Sequence, residues 1–329
     1  MRAVRVHELG KPYKGEIAET PAPEPGPGDV VIRVHAAPVN YVDTITLAGG
    51  YQFTPKLPYT PGKGPVGVVT EVGKDVSGFE TGERILAMTE HGGYAEMALA
   101  GSGNCYKLPD GLSFTDAATL PVAFDTAWMC LREQARIKSG ESVLVLGANG
   151  AVGRAAMQLA KAMGAGRVLA GVSSPEKYQG LEDDGAGGMV DLSGSNLRDA
   201  VRQQVYDLNE GEGVDIVIDP IGGDAFDGAV RAIAWRGRLV VVGFAAGRIP
   251  EIKTNYLMLK NIEISGIQIS DYRRREPGLL GKCYKEIFGY HAAGKIKAPA
   301  STSLPLEEWK SALEMVAGRR APNRLILTP

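Results

Sequence analysis

A regular alternation of strand-like and helix-like segments begins near residue 125 and leaves few folds open to the chain. Five apolar runs have the length of buried strands: SVLVL (142–146), RVLAGV (167–172), MVDL (189–192), VDIVID (214–219) and RLVVVG (238–243). Helical patterns follow the first four: AVGRAAMQLAKAMG, PEKYQGLEDDG, NLRDAVRQQVYDL and DAFDGAVRAIAW. Strand and helix repeated with short connections require right-handed crossovers, and these build a parallel sheet with helices on both faces. The sequence therefore predicts a doubly wound α/β domain.

The turn after the first of these strands, GANGAVG (147–153), resembles the dinucleotide-binding fingerprint G-x-G-x-x-G, with Ala148 in place of one glycine. Gly150 would let backbone N–H groups approach a pyrophosphate, and Gly153 would let the helix pack closely on the sheet. A helix N-terminus also carries partial positive charge for phosphates. The alternative is a tight strand-to-helix turn without a ligand. The preceding strand, the following helix and the later strands favour a dinucleotide, bound by Ala148, Asn149, Gly150, Ala151 and Val152.

The end of the second strand predicts which dinucleotide is bound. An acidic residue there would bind the ribose 2′-hydroxyl of NAD(H), but the chain reads VSSPEKY (172–178). Ser173, Ser174 and Lys177 are donors suited to a 2′-phosphate, whereas Glu176 is expected in the first turn of the next helix, where an acid is ordinary. NADPH is the predicted cofactor. The alternative for Lys177 is a solvated helix residue.

The remaining sequence predicts a second domain, since 329 residues exceed one ordinary core. Short β-rich runs separated by glycine and proline fill the first 120 residues, and a tail with two helical patterns ends on the strand-like RLILTP. A lone helix or strand cannot bury its apolar face, so the tail is expected to fold back onto the first domain. We expect a β-rich domain of residues 1–124 with 271–329, and a dinucleotide-binding domain of residues 125–270.

Charge and composition exclude several classes of function. The net charge of -2 gives no electrostatic attraction to nucleic acid or to an anionic membrane. No segment has the ~18 uncharged apolar residues of a membrane span, and the first ten residues lack the apolar region of a signal peptide. The three cysteines are widely separated and predict neither disulfides nor a C-x-x-C metal site. The expected compartment is the cytoplasm and the expected partner is a small molecule.

The chain resembles the medium-chain dehydrogenase/reductase superfamily, and within it the zinc-free quinone oxidoreductases related to ζ-crystallin. The resemblance covers nearly the whole chain and adds to the glycine turn four motifs: VNYVDTITLAGGY (39–51), LPYTPGKGPVGVVTEVG (57–73), DGLSFTDAATLPVAFDTAW (110–128) and VIDPIGG (217–223). It implies a β-rich GroES-like catalytic domain joined to a doubly wound Rossmann domain. It also implies a homodimer, for which the apolar-alternating edge strand KNIEISGIQI (260–269) is the candidate contact.

The resemblance implies that zinc is absent. Zinc-dependent members carry G-H-E where this chain has Gly62-Lys63-Gly64, and their cysteine ligands fall on Asn40 and near Val122. Lewis-acid oxidation of alcohols is therefore not expected. The remaining chemistry is hydride transfer to an acceptor activated by conjugation, such as a quinone or an α,β-unsaturated carbonyl.

The resemblance also implies roles for individual residues. Asn40 and Asp43 would line the cleft beside the nicotinamide, and Tyr51 falls on an active-site tyrosine; these three are the predicted catalytic residues. The predicted cofactor contacts outside the glycine turn and the 2′-phosphate site are Asn40, Thr126 at the nicotinamide ribose, Gly243 with Phe244 after the fifth strand, and Arg324 at the phosphates.

Two departures from the family pattern and several alternatives qualify these roles. Ile45 replaces a second tyrosine, which leaves the proton donor open, and Leu192 replaces a tyrosine that helps to hold the 2′-phosphate. The alternatives are local and structural: Asn40 and Asp43 brace a turn, Tyr51 packs in a loop, Thr126 starts a helix, Lys63 is solvated or paired with a carboxylate, and DYRRRE (271–276) is a solvated loop.

The predicted function is NADPH-dependent, zinc-independent reduction of a quinone or similar conjugated carbonyl. One alternative is reduction of the double bond of an enoyl thioester or alkenal, in which the proton is delivered to carbon. The alternative of another class is a non-catalytic NADPH-binding or sensor protein, because a fold does not fix a function.

Overall fold

The computed structural model describes residues 1–53 and 55–329, and their contacts form two units. The first unit comprises Met1–Val122, Tyr272–Phe288 and Ala298–Pro329, and the second comprises Ala123–Asp271 and Gly289–Lys297. Residues 289–297 thus belong to the second unit, whereas the sequence assigned them to the β-rich domain. Hydrogen bonds explain this difference, because Lys297 N–H donates to Gln158 at 2.7 Å and Arg132 donates to the Tyr290 hydroxyl at 3.1 Å.

The helices and strands follow one another in three stretches. From the N-terminus these are β1 Arg2–Glu8, β2 Lys14–Glu19, β3 Asp29–Pro38, α1 Tyr41–Leu47, β4 Val66–Val72, β5 Arg84–Ala87, β6 Met97–Gly101, β7 Cys105–Lys107 and α2 Phe114–Thr119. The middle of the chain forms α3 Ala123–Met129, β8 Ser142–Leu146, α4 Ala151–Ala162, β9 Arg167–Val172, β10 Gly188–Asp191, α5 Leu197–Leu208, β11 Val214–Asp219, α6 Gly223–Ala232, β12 Ile233–Val241, α7 Asn255–Lys260 and β13 Glu263–Gly266. The tail forms α8 Ile269–Arg275, α9 Pro277–Ala292, β14 Ser301–Pro305, α10 Trp309–Ala317 and β15 Arg324–Thr328.

The first unit is built on a mostly antiparallel sheet in the order β14-β15-β3-β4-β5-β7, with β6 also pairing with β3. Val30, Ile32 and Val34 of the long strand β3 are buried on one face, and this face packs in a core with Leu325 and Leu327 of β15 and Trp309 of α10. The tail therefore completes the first unit, as the sequence predicted, because β15 gains backbone pairing with β3 and buries its leucines.

The second unit contains a sheet in the order β10-β9-β8-β11-β12-β13, in which every strand pair is parallel. Numbered along the chain from β8, this is the order 3-2-1-4-5-6 of dinucleotide-binding sheets. The prediction of a doubly wound α/β domain joined to a β-rich domain is confirmed. Strand β13 lies at the edge of the sheet, as predicted for the 260–269 segment.

Two local predictions are wrong. The segment PEKYQGLEDDG forms only one turn of 3-10 helix, Pro175–Lys177, and Gly180 and Gly185 follow with φ of +76° and +99°, which ends helical geometry. The DYRRRE segment is not a solvated loop, because its first five residues lie in α8 and the Arg273 side chain is buried. Within the part of the chain that the structure describes, no helix is long and apolar enough to cross a bilayer.

Candidate active site

Asn40 lies between the end of β3 and the start of α1, where it is the N-cap residue of the helix. Strand β15 runs antiparallel to β3 with Ile326 opposite Pro38, so the register places Arg324 opposite position 40. The amide of Asn40 is buried, and both its oxygen and its nitrogen are hydrogen-bonded. Nη2 of Arg324 donates to Oδ1 at 2.8 Å, and Nδ2 donates to the carbonyl oxygen of Lys63 at 3.3 Å. These two contacts fix the orientation of the Asn40 side chain.

Asp43 stands three residues later, and its carboxylate completes a capping box by accepting the Asn40 backbone N–H on Oδ2 at 2.9 Å. A capping carboxylate at a surface helix contacts water, but this one is only 5% exposed. Burial raises the pKa of Asp43 to about 6, although the Asn40 N–H and the positive charge of Lys63 favour the charged form. Asp43 therefore changes protonation state close to neutral pH.

Tyr94 supplies a second hydrogen bond to the same carboxylate oxygen, with 3.3 Å between its phenol oxygen and Oδ2 of Asp43. Burial raises the pKa of Tyr94 well above its usual value, and the nearby Asp43 charge adds to this, so the phenol stays protonated and donates. Gly62 makes room for the ring, since a Cβ there would lie 2.3 Å from Cδ1 of Tyr94. The sequence analysis missed this tyrosine because no spacing links residues 94 and 43.

Lys63 is buried and paired with a carboxylate, which confirms that interpretation of the lysine and excludes the solvated one. Its Nζ lies 2.5 Å from Oε2 of Glu90, and Arg273 of α8 lies 3.3 Å from Oε1 of the same residue. The Lys63 ammonium also lies 5.4 Å from the ring centroid of Tyr51. The predicted catalytic tyrosine, itself half-buried, is thus held beside the lysine that contacts Asn40.

In the second unit, the glycine turn joins β8 to α4. Gly147 adopts φ of +60°, and a Cβ there would lie 2.7 Å from Ile221. A Cβ on Gly153 would lie 2.5 Å from the Gly147 carbonyl oxygen, so this glycine is required for helix packing. Gly150 differs, because it is the exposed N-cap of α4 and a Cβ there would meet only the Gly147 oxygen, at 3.2 Å. Its open side fits a ligand that approaches the backbone.

The neighbouring residues of the turn fit this arrangement. Asn149 and Ala151 are exposed and Val152 is half-buried at the start of α4, where helix N–H groups lack partners within the helix. Ala148 is buried and presents only its backbone. The residues of the turn therefore fit the pyrophosphate of a dinucleotide.

The residues predicted to hold a 2′-phosphate follow β9. Lys177 Nζ donates to the Ser173 hydroxyl at 2.7 Å, and both side chains are exposed, with Ser174 half-buried between them. The structure therefore brings together the three predicted donors. Leu192, which replaces the tyrosine of some relatives, is buried and packs near Gly171, so it adds no donor.

Three other predicted cofactor contacts have different environments. Thr126 is a buried residue inside α3 and not its first residue, and its backbone N–H donates to the Asp125 carboxylate at 2.7 Å. Gly243 follows β12 and its N–H lies 3.4 Å from the Asp219 carbonyl oxygen, while the next residue, Phe244, is exposed. The contacts of Thr126, Gly243 and Phe244 with a nicotinamide stay predictions.

Zinc does not fit the positions at which the resemblance places its ligands. Lysine is a cation with no lone pair while protonated, and the Asn40 amide already has partners at both ends. Across residues 1–53 and 55–329, no group of three or more histidine, cysteine, aspartate or glutamate residues could hold a metal ion. The donor set at this place is that of a hydrogen-bonded polar cluster.

Comparisons with known proteins identify the class. Residues 26–110 match the family model described as alcohol dehydrogenase GroES-like domain, and residues 151–283 match the model described as zinc-binding dehydrogenase. The chain is 33% identical over 328 residues to a quinone oxidoreductase-like protein 2 homolog of Nematostella vectensis, covering 99% of this chain and 88% of that protein.

Solved structures agree with these matches. A quinone oxidoreductase of Pseudomonas syringae pv. Tomato DC3000 superposes with a TM-score of 0.88 at 30% identity, covering 100% of this chain and 99% of that one. The quinone oxidoreductase of Escherichia coli, solved in complex with NADPH, gives a TM-score of 0.88 at 25% identity over 100% of both chains.

A GroES-like domain combined with a dinucleotide-binding sheet defines a medium-chain dehydrogenase/reductase. Within that superfamily the chain belongs to the zinc-free quinone oxidoreductase branch, and it is an enzyme of the quinone oxidoreductase type. The resemblance to this branch that the sequence motifs indicated is confirmed.

Proposed function

We propose that this protein is an NADPH-dependent, zinc-independent reductase that transfers hydride to a quinone or a similar conjugated carbonyl. The observation that carries the proposal is the hydrogen-bonded cluster of buried Asn40 and Asp43 with half-buried Arg324 at the start of α1. Where zinc-dependent relatives polarise a carbonyl with a metal, this cluster offers only hydrogen bonds and one carboxyl. Such a site suits an acceptor that conjugation has already activated.

The cofactor assignment rests on the second unit. The exposed side of Gly150 accommodates the pyrophosphate, and Ser173, Ser174 and Lys177 provide donors for a 2′-phosphate. The Escherichia coli relative solved with NADPH supports the same choice. When bound, NADPH supplies the hydride.

The residues of this chain supply orientation and a proton. Asn40, fixed by Arg324 and by the Lys63 carbonyl, is the oriented amide of the site. Asp43, with a pKa raised to about 6, is still protonated in a fraction of the molecules close to neutral pH. Tyr51 lies beside Lys63, where its ring can pack against a planar acceptor. Reduction of a quinone to the hydroquinone requires one hydride and one proton, and Asp43 is the proposed source of that proton.

A second candidate function, reduction of the double bond of an enoyl thioester or alkenal, is favoured by one observation. Ile45, two residues after Asp43 on α1, places an apolar side chain where relatives have a hydroxyl donor. A proton from Asp43 would then be delivered to carbon instead of oxygen.

The experiment that tests the function follows absorbance of NADPH and NADH with purified protein treated with a chelator and checked for residual metal. The acceptors are 1,4-benzoquinone, 9,10-phenanthrenequinone, an alkenal and crotonyl-CoA. Turnover of quinones with NADPH supports the proposal. Turnover confined to the alkenal or thioester supports the second candidate, and tight NADPH binding without any oxidation supports a non-catalytic role. Activity that disappears with the chelator and returns with zinc contradicts zinc independence.

We also propose that the protein forms a homodimer through the edge of the second unit. Among the described residues, strand β13 is the last strand of its sheet, and Trp235, Met258 and Leu259 of the same unit are 68%, 71% and 68% exposed. A strand at the edge of a sheet and exposed large apolar side chains in the same unit are features that a second copy of the chain would cover.

A further inference from the structure

The Asp43 carboxylate accepts a hydrogen bond that helix capping does not require. A capping box requires only the hydrogen bond from the Asn40 N–H, yet the phenol of Tyr94 reaches the same oxygen, Oδ2, from 51 residues away in the sequence. Tyr94 is fully buried, and Gly62, with φ of +99°, leaves the space that its ring occupies. The contact between Tyr94 and Asp43 therefore depends both on the capping position of Asp43 and on the lack of a side chain at Gly62.

Four charged or titratable side chains from other elements face Asp43: Lys63, Arg324, Tyr59 and Tyr94. Of these, Tyr94 is the one whose side chain hydrogen-bonds to the Asp43 carboxylate among the described residues. Burial raises the pKa of Tyr59 far above its usual value, so this phenol stays neutral like that of Tyr94. Arg324 remains a cation, because guanidinium is not deprotonated in proteins.

The two hydrogen bonds to Asp43 give its oxygens different roles. Oδ2 accepts from both the Asn40 N–H and the Tyr94 phenol, so a proton on that oxygen would face two donors. A proton on Oδ1 avoids this conflict. The position of the carboxyl proton is thus decided by the two donors on Oδ2.

We propose that Tyr94 is a positioning residue of the reduction: its phenol holds Oδ2 of Asp43, so that the carboxyl proton sits on Oδ1 and leaves from there to the reduced acceptor. This inference rests on the proposed function. The hydride from NADPH brings two electrons and one hydrogen to the acceptor. As the hydride arrives, the acceptor oxygen forms an O–H bond while the Oδ1–H bond of Asp43 breaks, and the resulting carboxylate regains its proton from water.

Tyr94 has a predictable effect on the pH dependence. The phenol stabilises the charged carboxylate, so removing it raises the pKa of Asp43 by roughly 0.5–1 unit, as expected for one hydrogen bond. Because protonated Asp43 is the active form, the rate of hydride transfer falls as pH rises through this pKa. In Tyr94→Phe, that fall should occur at higher pH by the same amount, whereas a purely structural loss would lower the rate equally at every pH.

The test compares wild type, Tyr94→Phe, Asp43→Asn and the control Tyr106→Phe, which removes another buried phenol of the first unit, one that packs on Tyr284. Single-turnover oxidation of bound NADPH by a quinone is measured from pH 5 to 9, with NADPH affinity from fluorescence. The Asp43 carboxyl is titrated by ¹³C NMR in wild type and Tyr94→Phe, which needs no turnover.

In Tyr94→Phe, we expect the alkaline limb of the rate profile and the NMR titration of Asp43 to shift together to higher pH. In Tyr106→Phe the alkaline limb should stay at the wild-type pH. In Asp43→Asn it should disappear. A Tyr94→Phe profile that superimposes on the wild type overturns the proposal, as does an unchanged Asp43 titration. A wild type that oxidises no NADPH with any acceptor overturns the proposed function instead, even where the NMR titration shows the coupling of Tyr94 to Asp43.

Discussion

Nη2 of Arg324 donates a 2.8 Å hydrogen bond to Oδ1 of Asn40 across 284 residues of chain. The contact follows from the antiparallel register of β3 and β15, which places these two positions opposite each other. It orients the amide that the resemblance locates beside the nicotinamide. The last strand of the tail therefore takes part in the candidate active site as well as in the sheet.

Replacement of Arg324 by methionine separates two roles for this arginine. If it orients Asn40, Arg324→Met should lower kcat at least about tenfold while the Kd for NADPH changes little, because misplacing a reacting group mainly affects the chemical step. If it binds the cofactor phosphates, the Kd for NADPH should rise instead. We expect the first result, measured by steady-state kinetics and fluorescence titration. Arg320→Met, in the exposed turn before β15, is the control and should change neither quantity.

Replacement of Asp43 by asparagine should change how stability depends on pH. The folded pKa of Asp43 is about 6, above the usual 3.8, because burial disfavours the charge. Its contribution to stability is therefore fully present below the unfolded value and is lost as pH rises through 6. The free energy of unfolding of Asp43→Asn relative to wild type should rise between pH 4 and 7, by about 2–3 kcal/mol.

Urea unfolding at several pH values measures this change. The exposed Asp75→Asn variant is the control for replacing a carboxyl by an amide at the protein surface. Parallel curves for Asp43→Asn and wild type would show that Asp43 has an ordinary pKa in the folded protein.

Replacement of Lys177 by alanine tests the preference for NADPH. Lys177 and Ser173 are exposed and hydrogen-bonded to each other after β9, where a 2′-phosphate would bind. Loss of a charge-assisted hydrogen bond should weaken NADPH binding about 10- to 100-fold and leave NADH binding nearly unchanged. Isothermal titration with both cofactors measures this, with the exposed Lys138→Ala as control. Equal losses for the two cofactors would remove Lys177 from the 2′-phosphate site.

Replacement of Gly150 by valine tests the glycine turn. A Cβ here meets only the Gly147 oxygen, at 3.2 Å, so a small shift of the turn should accommodate it, but the side chain would occupy the path of the pyrophosphate. Both NADPH and NADH should bind at least tenfold more weakly, with a Tm close to that of wild type. Gly194→Val, at an exposed loop position with no atoms within 4 Å of the added Cβ, should bind both cofactors normally. Normal binding by Gly150→Val would place the dinucleotide elsewhere.

Replacement of Leu259 by glutamate tests the dimer. This side chain is 68% exposed on α7, beside the edge strand of the second unit, so a charge there opposes burial against a second copy. Light scattering at micromolar concentration should give a dimer for wild type and a monomer for Leu259→Glu. Lys310→Glu, on the exposed face of α10, should stay dimeric. A monomeric wild type would refute the dimer.

The sequence predicted the second unit well because its signals are local. The run SVLVL, the following glycines and the amphipathic α4 form one strand-turn-helix unit, and repetition of such units leaves few topologies. Ser173 and Lys177 are four residues apart, so one turn of chain brings them together. Where local signals were weak, the prediction was wrong: PEKYQGLEDDG has helix-forming residues, but two glycines with positive φ end the helix after one turn.

The candidate site of the first unit was predicted only in part. Asn40 and Asp43 are neighbours on one helix turn, and the family motif around them identified both. The sequence could not show that Asp43 is buried or that it accepts from Tyr94, because both depend on how β-strands far apart in the chain are packed. It could not show that Arg273 of the DYRRRE segment and Lys63 share Glu90, since an ion pair between distant segments leaves no pattern of spacing.

The order of the strands in the second unit and the strand-turn-helix around the glycines could be predicted from the sequence, because each depends on residues close together in the chain. Tertiary packing sets which side chains of the candidate site are hydrogen-bonded to each other. Arg324 meets Asn40 because two strands pair in one register, and Asp43 titrates near neutral pH because the surrounding core removes water from its carboxylate.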